Sequence, residues 1–64
     1  MSAPKYEGVA DAYKARVTQL FLALCDGLVA ADGDERDVAA AKARYLRGKK
    51  FADEALAVIL ETNA

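Results

Sequence analysis

Leu20-Phe21-Leu22-Ala23-Leu24-Cys25-Asp26-Gly27-Leu28-Val29-Ala30-Ala31 is apolar on nearly every side when wound as a helix, and a helix of that kind has to be buried all round. Upstream the pattern is one-sided. Tyr6, Ala10, Tyr13, Val17, Leu20 and Leu24 step by fours and threes along one stripe, while Asp11, Lys14 and Arg16 point elsewhere. The two patterns together predict a single helix over residues 5–31, with one apolar face at its start and two at its end. From Phe21 onward the second face appears, because at about 100° per residue Leu22, Cys25 and Val29 fall away from Leu20, Leu24 and Leu28. The rest of the chain can cover one face. The other calls for a second chain, which makes Phe21, Leu22, Cys25 and Val29 the candidate interface.

The run ends at Asp32-Gly33-Asp34-Glu35, which reads as a helix stop followed by a start. Gly33 can take the left-handed conformation that closes a helix, and Asp34, with Asp37 three residues on, can cap the next one. A second helix is predicted over residues 35–47, with Val38, Ala41, Tyr45 and Leu46 inward. Gly48-Lys49-Lys50 interrupts the pattern, and a third helix is expected over residues 52–62, where Phe51, Ala55, Leu56, Ile59 and Leu60 resume helical spacing. One helix running through Gly48 is the alternative. At the N-terminus Ser2 can cap and Pro4 suits a first turn. Gly27 lies on the inner stripe, where it either admits a neighbouring helix closely or is a tolerated flaw. The first helix would be about 40 Å long and the two short ones about 20 and 16 Å, so laid end to end they cover one side of it. The expected fold is all-α: a small helical bundle with a long N-terminal helix packed antiparallel against two shorter helices, as a dimer.

Composition points the same way. A chain of 64 residues is one domain, and at that size folding buries only roughly 60% of the unfolded chain's surface. Some reinforcement is needed. Cys25 is the only cysteine and there is no histidine, so a disulfide framework is excluded and a zinc site is poor. Oligomerisation remains, or else unusually good helix packing. Net charge is −1, too little for a global field that would draw the protein to nucleic acid or to acidic membranes. The apolar run is about 18 Å long as a helix, against the roughly 30 Å of a bilayer core. The N-terminal residues lack the pattern of a secretory signal, and a lone thiol suits a reduced compartment, so the expected location is cytoplasmic, with no membrane partner.

Three clusters invite a chemical reading. Asp26, Asp32, Asp34, Glu35 and Asp37 are acidic, but their spacing misses the EF-hand pattern and capping accounts for three of them, so no metal ligands are assigned. Leu28-Val-Ala-Ala-Asp-Gly-Asp-Glu35 resembles the helix-turn-helix junction of TerB-like tellurite-resistance domains, in which an Ala-Asp-Gly turn is followed by an acidic residue. Over those eight residues the resemblance implies an acidic, metal-associated surface at Asp32, Asp34 and Glu35. Lys42, Arg44, Arg47, Lys49 and Lys50 are the candidate nucleic-acid contacts, although helical spacing splits them between two sides unless the helix ends near Gly48. Residues 52–62 carry Asp53, Glu54 and Glu61 and no basic residue, which is unsuited to reading bases.

Catalytic groups are scarce. Cys25 has no histidine to activate it, and no phosphate-binding loop occurs. The expected function is therefore a non-catalytic protein–protein interaction module without cofactors: a small adaptor, regulator or accessory subunit that self-associates through its first helix. The alternatives are a nucleic-acid-binding regulator using the Lys42–Lys50 cluster and the small subunit of a hetero-oligomeric enzyme.

Overall fold

The computed structural model describes the backbone of residues 5–62 and the side chains from Gly8 to Thr62. Two helices, α1 (Lys5–Ala31) and α2 (Glu35–Thr62), form an antiparallel hairpin, and no strand occurs among the described residues. The Ser2 cap, the Pro4 first turn and the side chain of Tyr6 lie outside the described residues.

The reversal takes three residues. Asp32 and Gly33 both have left-handed backbone, with φ of 47° and 83°, which turns the chain out of α1. The Asp32 N–H still donates to the carbonyls of Leu28 and Val29 at 3.3 and 3.2 Å, and the Asp34 N–H donates to Ala31 at 2.9 Å. The carbonyls of Leu28, Val29 and Ala31, three of the last four in α1, thereby receive donors. Asp34 then starts α2: its side-chain Oδ1 accepts from the Asp37 N–H at 2.9 Å, and its carbonyl accepts from Val38 at 2.9 Å. Glu35 and Asp37 lie in the first turn of α2, where negative charge is stabilised by the helix dipole.

The expected break between a second and a third helix does not occur; α2 is continuous through Gly48. A glycine inside a helix costs about 1 kcal/mol relative to alanine, but it keeps its N–H and leaves the hydrogen-bond ladder intact. Here it also has a packing role, because a Cβ at Gly48 would lie 2.5 Å from Cδ2 of Leu20. The missing side chain is the space Leu20 occupies. Lys49 bridges the same stretch by pairing with Asp53 one turn on, at 3.0 Å. What reads in sequence as punctuation is a site of close helix approach.

Gly27 plays the matching part in α1, where a Cβ would lie 3.0 Å from Cβ of Ala41. The seam is traced by residues partly withdrawn from solvent, Val9, Tyr13, Val17, Leu20, Leu24, Gly27 and Ala31 on α1, and Val38, Ala41, Tyr45, Gly48, Ala52 and Leu56 on α2, with Cys25 and Lys49 half-buried at its flank. Their spacing of threes and fours keeps each helix's stripe against the other. Because α2 runs unbroken, its inward stripe passes through Ala52 and Leu56. Leu46, Phe51, Ala55, Ile59 and Leu60 were expected inward and are exposed. Leu28 is exposed as well, one position off the α1 seam.

Among the described residues only Ala31 and Ala41 are buried. The Cα envelope measures 52 × 19 × 6 Å, so the hairpin is a single layer one helix thick, whereas a stable domain packs at least two layers around its core. The radius of gyration is 15.2 Å, against about 11 Å for a compact chain of this length. The exposed surface is 5103 Å², against about 4,000 Å² for a compact monomer of this mass. The hairpin alone leaves unburied what a domain of its size encloses.

Candidate interaction surfaces

Each helix packs one stripe against the other, and several large apolar residues off that stripe are exposed. On α1 the four predicted interface residues lie off the seam. Phe21 is 53% exposed, Leu22 56% and Val29 79%, and Cys25 is half-buried. Leu28, seven residues after Phe21, lies on the same side of α1 as Phe21. Across the seam Leu46, 65% exposed, stands on the corresponding side of α2. The sequence reading placed both Tyr45 and Leu46 inward; Tyr45, four residues after Ala41, takes the seam position, and Leu46, about 100° further round the helix, is thereby turned to the surface.

The other face of the hairpin is concave toward its open end. A groove of about 550 Å³ runs there between the first half of α1 and the second half of α2, with Val9, Ala12, Arg16, Phe51, Ala55 and Ile59 among the described residues of its walls. A smaller hollow of about 170 Å³ lies near the turn, lined by Gly27, Ala30, Ala31, Asp37, Ala40 and Arg44. The two open on one face: Asp37, Arg44 and Phe51 recur every seven residues along α2, and Arg16 and Ala30 lie two heptads apart on α1. Phe51 shows how the sequence signal was present but misassigned, since its helical spacing to Ala55 and Ile59 marked an apolar stripe that faces the groove instead of the seam.

Polar chemistry between the helices is concentrated at one point. The Tyr13 hydroxyl donates to Asp53 Oδ1 at 2.5 Å, and the Lys49 ammonium donates to both Asp53 oxygens at 3.0 Å while lying 5.6 Å from the centre of the Tyr13 ring. The hydrogen bond from Tyr13, then that from Lys49, holds the Asp53 carboxyl below its ordinary 3.8. The Tyr13 hydroxyl and the Asp53 carboxylate hold Lys49 above its ordinary 10.5. All three groups are accessible to water, so their energetic weight is screened. Their geometric role is to fix the register of α2 on α1.

The basic cluster is divided by the continuous helix. Lys42 and Lys49 share the side that carries Leu46, Arg44 lies by the hollow of the opposite face, and Arg47 and Lys50 point away from the seam. Lys49 is committed to Asp53. With no helix end at Gly48, Lys49 and Lys50 do not swing round to join Arg44 and Arg47. Of the acidic residues around the turn, Asp34 caps α2 and Glu35 and Asp37 lie in its first turn, and among the described residues no group of three or more histidine, cysteine or carboxylate side chains is placed to hold a metal ion. Among the described residues no helix is long and apolar enough to cross a membrane.

The chain matches no protein-family model, and no curated protein or solved structure matches it either. At residues 28–35, where the sequence resembles TerB-like domains, the structure forms a helix turn with Asp34 capping α2.

Proposed function

We propose that this protein is a non-catalytic interaction module whose hairpin completes its fold by association with a second copy of itself, through the outer face of α1 formed by Phe21, Leu22, Cys25 and Val29 and extended by Leu28 and Leu46. The observation that carries this reading is the unburied surface. The chain exposes about 1,100 Å² more than a compact monomer of its mass. Removing that excess from each of two chains gives an interface of about 2,200 Å² in total, within the range of stable homodimers. A twofold axis lets one patch cover its own copy and so closes the assembly with a single surface.

Specific residues support this choice of face. Phe21 and Leu28 lie one heptad apart on α1, and Leu46 stands beside them on α2, so two copies laid face to face with the same orientation bring Leu46 of each over the Phe21 and Cys25 level of the other. An assembled core of that kind supplies the second layer that the single hairpin lacks. The test is a pair of exposed substitutions on the face shared by the two helices that leave net charge unchanged, Phe21→Glu with Leu46→Lys. The expected result is a lower mass by light scattering with the helical circular-dichroism spectrum retained. A variant of unchanged mass would remove this face from the interface.

A further inference from the structure

We propose that the opposite face, which carries the apolar groove, is a second self-association surface: another copy stacks on it with its hairpin pointing the same way, α1 of each over α2 of the other, and Asp26 of each chain pairs with Arg44 of its neighbour. This rests on self-association being the protein's activity and adds a second, separate contact to it.

The groove alone does not name its occupant; its position and the charges beside it do. Groove and hollow lie on one face at opposite ends. A copy stacked in the reverse direction would set the Asp37 and Arg44 hollow over the apolar groove and leave charge against Phe51 and Ile59. A copy stacked in the same direction sets groove over groove, so that Phe51 and Ile59 of both chains share one apolar space with Arg16 of each chain at its wall. That arrangement has its twofold axis along the hairpin, and such an axis preserves height along it.

The heights are fixed by the seam, where Gly27 is level with Ala41 and Leu20 with Gly48. Asp26 and Arg44 are therefore within about 3 Å of the same height. Asp26, four residues before Ala30, belongs to this face of α1, and in the stack it meets Arg44 of the other chain. Within one hairpin neither is ion-paired; Lys49–Asp53 is the only ion pair among the described residues. A face of 52 by 19 Å has a footprint of roughly 1,000 Å², enough for the roughly 800 Å² per partner of a standard interface. With one twofold contact on each side of a single-layer hairpin, the assembly extends beyond two chains.

The experiment is charge reversal with mixing, read by light scattering. Wild-type protein is expected at four chains or more. Asp26→Arg alone and Arg44→Asp alone each place two like-charged pairs in this contact, weakening it at least about tenfold and reducing the mass to a dimer held by the outer α1 face. An equimolar mixture of the two variants restores both opposite-charge pairs and returns the mass to the wild-type value, which a change within one hairpin cannot do. A wild-type plateau at two chains, an Asp26→Arg protein of undiminished mass, or a mixture that stays dimeric overturns the proposal. If the wild type is a dimer that Phe21→Glu with Leu46→Lys dissociates, the outer-face reading stands and this one falls. If the wild type is a single chain, both fall.

Discussion

Replacing Gly48 by alanine tests whether that residue is a seam position in a continuous helix. Two terms oppose each other. Alanine in a helix interior is favoured over glycine by about 0.8–1 kcal/mol. Against that, the new Cβ would lie 2.5 Å from Cδ2 and 3.2 Å from Cδ1 of Leu20, closer than carbon atoms can approach. Those atoms are the far end of a flexible side chain, so Leu20 has to leave its rotamer, at about 0.5–1.5 kcal/mol, without moving the backbone. The sum is close to zero. Gly8→Ala is the internal reference, because a Cβ there meets nothing within 4 Å and the full propensity gain of about 1 kcal/mol is expected. The two variants should therefore differ by about 1 kcal/mol, roughly 4–8 °C in a domain of this size, measured by thermal and urea unfolding followed by far-UV circular dichroism. Two results would refute the reasoning. A Gly48→Ala protein stabilised as much as Gly8→Ala would mean that Leu20 does not occupy that space, and a loss of more than about 2 kcal/mol would mean a helix end with left-handed backbone at Gly48.

Asp34→Ala removes the side-chain oxygen that accepts from Asp37 and should lower stability by about 1 kcal/mol, whereas Asp34→Asn should retain most of it; equal losses in urea unfolding would show that the cap does not act through this bond. Asp53 is held below its ordinary 3.8, so its contribution to stability is fully present above that value and is lost as pH falls through the lower folded value. Asp53→Asn should remove that part of the acid dependence and leave the rest of the pH profile unchanged. Lys49 is held above its ordinary 10.5, so its contribution is present below that value and is lost only as pH rises through the higher folded value; titration of unfolding midpoints on both sides checks both signs.

How much of the fold is legible in the sequence depends on how local each signal is. The turn is readable because its causes lie within a few residues: Gly33 supplies the left-handed conformation and Asp34 caps α2. The α1 stripe is readable because Val17, Leu20 and Leu24 repeat along one uninterrupted helix. Gly27 leaves two readings open, and only the position of Ala41 opposite it selects close approach. Gly48 misleads for the same reason. A glycine that ends a helix and one that admits Leu20 look alike until the partner helix is placed. The consequence propagates, since a break at Gly48 frees the rotation of later residues, while continuity commits Ala52 and Leu56 to the seam and turns Phe51, Ile59 and Leu60 outward. For the surfaces, the outer α1 residues stand out because they are surplus to one stripe. The groove does not, because it is made by residues from two distant segments of the chain.

The central claim is that this hairpin is stabilised by association, and the dependence of its thermal midpoint on protein concentration tests that most directly. Association predicts a midpoint that rises with concentration, as mass action requires when folding and assembly are linked, with helical signal and mass falling together on dilution. A midpoint independent of concentration in a fully helical single chain would contradict the account.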